Sequence, residues 1–199
     1  MLYIVLNLII PLIVLAFIVL GFWAKIASEN SNTKLFDEYQ ECSKKQLEDI
    51  GFVPDVEYLY EDILFGVMIK FSVDESKQAI SVLNSNKVCD LINFSDIMGY
   101  EVMEDNQVVG GISRAIVGGI VAGGAGAIIG SQTAHKKKVY SYGIAIYLNN
   151  IKNPRMMIPI IKNSVKPTDK RYKEAIKFSD NVGITLKTII ARNQAATNQ

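Results

Sequence analysis

Between Ala115 and Ala134 the chain runs for twenty residues without a charge, and six of them are glycine. Gly119 and Gly123 are four apart, as are Gly126 and Gly130, and Ala115, Gly119, Gly123 and Ala127 form one small-residue row. In water this composition is a poor helix former, because each interior glycine costs about 1 kcal/mol relative to alanine. In lipid the backbone has no water to bond. A helix is then nearly forced, and small residues let two backbones approach. The segment is expected to be a close-packed helix or helical hairpin in or against a membrane. It names no reaction.

The first 24 residues, Met1 to Ala24, also carry no charged side chain. At about 1.5 Å per residue they would span roughly 36 Å as a helix, enough for the hydrocarbon core with some tilt. Pro11 is tolerated in such a helix, and Trp23 falls where an interfacial aromatic belongs. A cleaved signal peptide is the competing reading. The run lacks a basic leader and an evident cleavage site and is too long, so an uncleaved anchor over residues 1–24 is preferred. Lys25, Lys34, Lys44 and Lys45 follow the anchor and no positive side chain precedes it. By the positive-inside rule, the expected topology is a single-pass anchor in the inner (cell) membrane with the bulk of the chain in the cytoplasm. Cys42 and Cys89 lack CxxC spacing, which suits a reducing compartment.

Beyond the anchor about 175 residues remain, room for one domain and the glycine-rich segment. Charge is uneven. Residues 1–134 hold 8 Lys/Arg against 17 Asp/Glu, and residues 135–199 hold 13 against 3. Either the halves neutralise each other in the fold, or the second half presents a basic face to anionic lipid or an acidic partner.

Residues 25–50 read as a linker (Ser28–Thr33) and a juxtamembrane amphipathic helix with Leu35, Tyr39, Cys42, Leu47 and Ile50 on one face, stopped at Gly51. From Phe65 the period becomes two. Phe65, Val67, Ile69, Phe71 and Val73 alternate with Gly66, Met68, Lys70 and Ser72, the pattern of a half-buried antiparallel strand. Asp74–Lys77 is a turn. Ala79–Leu83, Val88–Phe94 and Ile97–Glu104 read as further strands, as do Val139–Leu148 and Arg155–Lys162, the last an edge because of Pro159. Val56–Tyr60 is a candidate seventh. Tyr172, Ala175, Ile176, Ser179, Val182, Leu186, Ile189 and Ile190 mark one face of a C-terminal helix, capped by Thr168 or Asp169, with Gly183 a weak point in its middle. Residues 193–199 form a fraying tail.

The expected architecture is membrane-anchored and mainly β (α+β): six or seven antiparallel strands in a small barrel or sandwich, plugged by a C-terminal helix. The strand Gly66–Val73 running into Asp74-Glu75, the stretch Ile92–Asp105, the glycine-rich insertion directly after it, and Ile144–Asn150 followed by Asn153-Pro154 carry a resemblance. In this order they resemble a group of bacterial and phage PH-like proteins in which a glycine-zipper hairpin is inserted into the domain. The resemblance implies a first half at residues 51–110, an insertion at 111–135 and a second half at 136–192. It implies binding and scaffolding rather than catalysis, and it transfers no catalytic residue.

The residues agree that an enzyme is not expected. His135 is the sole histidine, and it stands beside three lysines, so a Ser-His-Asp or Cys-His site has nowhere else to form. Two cysteines 47 apart and one histidine make no zinc site. The glycines match neither phosphate-loop nor dinucleotide spacing, and Glu104-Asp105 reads as a strand end. No cofactor or metal is expected. Nucleic acid is not expected either, since Lys170, Arg171, Lys173 and Lys177 come without a stacking platform. Arg114, Lys136, Lys137 and Lys138 flank the uncharged run and can reach lipid headgroups; the plain alternative is a solvated strand start.

The glycine segment itself fits a membrane-embedded hairpin, a single span, or a soluble helix pair. A single span would divide one sheet across the bilayer, so the hairpin is preferred. Its arms of about ten residues, roughly 15 Å, are too short to cross alone, which points to homo-oligomers. Membrane lipid, copies of the chain and a protein bound at the barrel are the expected partners. The alternative function is a membrane-perturbing or superinfection-exclusion effector of prophage origin.

Overall fold

The computed structural model describes residues 2–84, 89–112 and 138–197, with side chains from Val14 onward. It opens with a single 48-residue helix, α1 (Leu2–Asp49), about 72 Å long at helical rise. The expected linker at Ser28–Thr33 is helical instead. No glycine or proline occurs between Gly21 and Gly51 to break the helix. The polar stretch is also held in register: Lys25 pairs with Glu29 at 3.9 Å, and the Thr33 hydroxyl donates back to the Glu29 carbonyl at 2.9 Å. The helix stops where a Schellman motif forms. The Gly51 N–H donates to Glu48 O and the Phe52 N–H to Leu47 O, both at 2.8 Å, with Gly51 at φ 65°.

Eight strands follow among the described residues. The first sheet, in order β1-β2-β3-β4, is built from β1 (Val56–Asp62), β2 (Val67–Asp74), β3 (Ala79–Asn84) and β4 (Cys89–Asn93). The second contains β5 (Ile97–Glu104), β6 (Gln107–Ile112), β7 (Tyr142–Leu148) and β8 (Arg155–Ile161), in order β6-β5-β7-β8. All neighbours are antiparallel. The two ladders do not join into the closed barrel expected, and the strand count exceeds six or seven. The additional strand is β6, which takes up Gly111 and Ile112 from the expected insertion. A two-residue turn makes it possible: Asp105 and Asn106 both adopt positive φ, 51° and 64°, the geometry that lets a tight hairpin follow strand twist.

The main core lies between the sheets and under the C-terminal helix α2 (Lys170–Thr197). Tyr172, Ala175, Ser179, Val182, Leu186, Ile189 and Ile190 are buried there, as their spacing predicts. Asp169 is the cap: its Oδ1 accepts from the Arg171 N–H at 2.9 Å. Gly183 is a packing requirement rather than a flaw, because a Cβ at that position would lie 3.1 Å from the Tyr100 hydroxyl and 3.3 Å from its ring.

β2 is buried on both faces, not one. Its second face is covered by α1, where Phe36 and Tyr39 pack on Met68 and Leu83. Further along, Leu47 and Phe52 pack with Ala79, and Cys89 lies against them. Two small clusters thus weld the second half of α1 to the outer face of the first sheet.

The β2–β3 turn is fixed by Asp74, which is buried. Its carboxylate accepts from the Ser76 hydroxyl at 2.6 Å, the Val53 N–H at 2.7 Å and the Lys77 N–H at 2.9 Å. The Ser76 bond leads in holding its pKa down to about 2 against the upward push of burial. The folded pKa lies below that of the unfolded chain. The stabilisation is therefore complete above about pH 4 and is lost as pH falls toward 2. Thermal melts of detergent-solubilised chain should show that acid-side loss, and Asp74→Asn should flatten it while lowering stability near neutrality.

Candidate functional site

Of the residues singled out for membrane contact and self-association, Ala115, Gly119, Gly123, Gly126, Ala127 and Gly130 lie outside the described residues. So do Arg114, Lys136, Lys137 and His135. Lys138 is described and exposed. What the structure fixes is where the chain leaves and returns. β6 and β7 both run antiparallel to β5 and hence parallel to each other. Ile112 lies opposite Tyr100, whereas Tyr142 lies opposite Glu104. Ile112 and Tyr142, on opposite sides of β5, are thus offset along it by about four residues, roughly 13 Å.

The returning foot is anchored. Asp105 Oδ1 accepts from the N–H groups of Tyr140 at 2.7 Å and Ser141 at 3.0 Å. Val139 and Val165 exchange two backbone bonds of 2.8 Å, which puts Lys138 across from Lys166.

α1 gives the domain a near and a far end. Its uncharged run ends at Ala24, and the described residues Val14 to Trp23 are exposed, Phe17 at 71% and Trp23 at 67%. By length and composition α1 can cross a membrane: an 18-residue window of its described part has a mean hydropathy of 1.2, and none of that window is buried. Near the start of its contact with the domain, the Asn32 side-chain N–H donates to the Ile63 carbonyl at 2.8 Å. Ile63, Leu64 and Phe65 form a short 3-10 turn between β1 and β2, and all three are about two-fifths exposed (39%, 43% and 41%).

Beside this turn stands Arg171, at the start of α2. Its guanidinium lies 4.6 Å over the Phe65 ring and bonds Asp62 at 3.3 Å and Asp169 at 3.5 Å. A shallow hollow joins Phe65 and Arg171 to Lys162 and Val165. Exposed Lys138, Lys162, Lys166 and Lys170 therefore gather at the end of the domain nearest the apolar part of α1, around an apolar turn. Lys162 and Lys166 carried no assignment in the sequence. Their only signal was the dense run of lysines from 162 to 177, and only the fold brings them to Ile63–Phe65.

A second feature is an open groove of about 400 Å³ between β1 and α2. Glu57, Tyr58, Leu59, Tyr60 and Glu61 form one wall, and Glu174, Lys177, Phe178 and Asn181 the other. Tyr60 is 3% exposed, and its hydroxyl has no partner among the described residues. Burial, then the Asp62 carboxylate, pushes its phenol above the ordinary range. At the near end of the core, buried Glu104 accepts from the Tyr172 hydroxyl, and Tyr142 and Ser179 share a 2.6 Å hydrogen bond. These bonds satisfy core polar atoms. Among the described residues no cluster of three metal-ligating side chains occurs.

A family model described as "Glycine zipper containing PH domain" matches residues 55–162, more than half of the chain. No curated protein and no solved structure matches.

Arg171→Ala would leave Asp62, which is 9% exposed, without its cation and Phe65 without its cover. The expected cost is about 1–3 kcal/mol in chemical denaturation. Arg171→Lys should recover only part of it, since an ammonium cannot bridge two carboxylates and stack at once.

Proposed function

This chain belongs to the family of glycine zipper containing PH domains, and we infer that it is a non-enzymatic, membrane-anchored binding and scaffold protein. The observation that carries the reading is the continuity of α1: one helix joins the exposed apolar run to a helix face welded onto the first sheet. A rod fixed at both ends holds the domain close to the bilayer, with Ile63–Phe65 and the lysines around it foremost. From Ala24 to Asn32 the rise is only about 12 Å. The apolar turn can enter the headgroup layer while Lys138, Lys162, Lys166 and Lys170 meet anionic lipid. The anchor belongs in the cell membrane, with the domain on the cytoplasmic side.

The glycine-rich segment inserts in the bilayer or packs with copies of itself through Gly119, Gly123, Gly126 and Gly130, flanked by Ala115 and Ala127. One feature supports this: its returning foot, Lys138, lies at the end of the domain nearest the apolar part of α1. Lys136 and Lys137, next in sequence to Lys138, would then lie at headgroup level.

Full-length protein should float with vesicles after an alkaline wash and cross-link as a homo-oligomer in detergent. Gly119→Leu and Gly123→Leu should shift it toward monomer. Extraction by the wash, or the same species in all three proteins, contradicts the reading. Dye leakage from vesicles that disappears on deletion of residues 111–135 would point instead to the membrane-perturbing effector.

A further inference from the structure

We propose that the free edge of β1 takes up an extended, basic peptide from a partner protein as an added strand, seated in the groove between β1 and α2. The proposal rests on the binding-module reading above and gives that module the chemistry of its partner.

Five successive residues of β1 line the groove. Successive strand side chains point to opposite faces, so five in a row can line one wall only if the backbone edge itself forms it. That edge is unpaired. β1 is hydrogen-bonded to β2 on one side, and among the described residues the backbone of Glu57–Glu61 makes no other backbone bond. Both edges of the second sheet are blunted: β8 carries Pro159, and the β5–β6 pairing is broken by a register shift at Val102/Met103. β1 has no proline, lysine or shift between Val56 and Asp62. It is a flat, regular edge left open beside a helix.

Burial along β1 alternates, with Glu57, Leu59 and Glu61 exposed and Tyr58 and Tyr60 turned inward. An added strand would repeat that alternation. On the outer face it would meet Glu57, Leu59 and Glu61 in turn. On the inner face it would meet Tyr58, the buried Tyr60 and the α2 residues Glu174, Lys177 and Phe178. The wall carries three carboxylates and one ammonium. Lys70 pairs with Glu57 at 2.6 Å and Lys170 with Glu174 at 3.4 Å, while among the described residues Glu61 has the neutral Gln40 amide at 3.5 Å and no cation. On the outer face two carboxylates, Glu57 and Glu61, stand against one ammonium, Lys70, so that face favours a cationic guest, and the pattern it selects is basic, apolar, basic at alternate positions.

The same charges argue against a second copy of this chain. An antiparallel pair of β1 strands centred on Leu59 would set Glu57 of each copy opposite Glu61 of the other. Like charges directly opposite are destabilising. A strand with lysines at those positions reverses the sign of both contacts while keeping the main-chain bonds that supply affinity in strand addition.

The test uses full-length protein in phosphatidylcholine nanodiscs, which lack the anionic lipid that would itself capture a cationic peptide. Co-elution with the disc is checked first, so failure of anchoring is read separately from failure of peptide binding. The probe is a blocked, fluorescein-labelled peptide, Thr-Val-Lys-Thr-Leu-Thr-Lys-Val-Thr, followed by anisotropy. It should bind, and replacing both its lysines with glutamate should weaken binding about tenfold or more. Glu57→Lys/Glu61→Lys should invert the preference, favouring the glutamate peptide. Circular dichroism melts establish that this variant is folded.

Two further peptides are N-methylated, one at the odd and one at the even residues from Lys to Lys. Only alternate amides of a strand face its neighbour, so one should lose about tenfold and the other stay within about twofold. Equal binding by both methylated peptides, an unchanged preference in the double variant, tighter binding of the glutamate peptide to wild type, or no binding of the parent at about 1 mM overturns the proposal.

Discussion

The structure depends on the contact between α1 and the outer face of the first sheet. Met68 and Leu83 are buried because Phe36 and Tyr39 cover them, and Ala79 because Leu47 and Phe52 do. Each buried apolar side chain contributes about 1.5–3 kcal/mol. The two clusters are therefore enough to fix a helix that would otherwise project from the domain as a free stalk. Because α1 has no break, fixing its second half also fixes the direction of its first half. The domain's orientation follows from packing, not from a linker.

That orientation gives the rest of the fold its meaning. The near end carries the Ile63–Phe65 turn, the start of α2, the Asp62–Arg171–Asp169 cluster and the re-entry of the chain at Lys138. The far end carries the Asp74 turn and the pair Glu75–Arg192 at 2.7 Å. The uneven charge of the sequence is resolved in two ways. Some of it is neutralised across the fold, as in the Arg171–Asp62 and Arg192–Glu75 pairs, each joining the acidic first part to the basic last part. The remainder is sorted, with lysines gathered at the near end and carboxylates along β1.

Much of the fold was legible in the sequence because its elements obey one period each. In β7 the large apolar residues Tyr142, Ile144 and Ile146 alternate with the small Gly143 and Ala145, and α2 has an apolar face of unbroken spacing with an aspartate where its first N–H groups need an acceptor. What was not legible required knowledge of neighbours. Met68, Lys70 and Ser72 read as a solvent face, but Phe36 and Tyr39 cover Met68, while Lys70 and Ser72 are paired with Glu57. β6 was hidden because Gly110 and Gly111 resemble the glycine run that follows, and an Asp-Asn turn is a weaker hairpin signal than Asn-Gly. Gly183 read as a defect because the Tyr100 ring that needs the space comes from a strand 83 positions away. For the site, the glycine row and Lys138 were visible as a pattern. Lys162, Lys166 and Ile63–Phe65 were not, because a bridge between Val139 and Val165 and one hydrogen bond from Asn32 bring them together. The β1 edge could not be read either, since whether a strand lies at an edge is a property of the sheet.

The central claim is that α1 is one rigid rod holding the near end of the domain at the bilayer surface. Depth measurement by spin label tests it most directly. With Cys42 and Cys89 replaced by serine, single labels at Leu64→Cys and Glu75→Cys are compared in nanodiscs by accessibility to oxygen and to a water-soluble nickel complex. The account predicts that the label at position 64 reports the headgroup layer, protected from nickel, while the label at position 75 reports bulk water. Equal, water-like accessibility at both positions would contradict it.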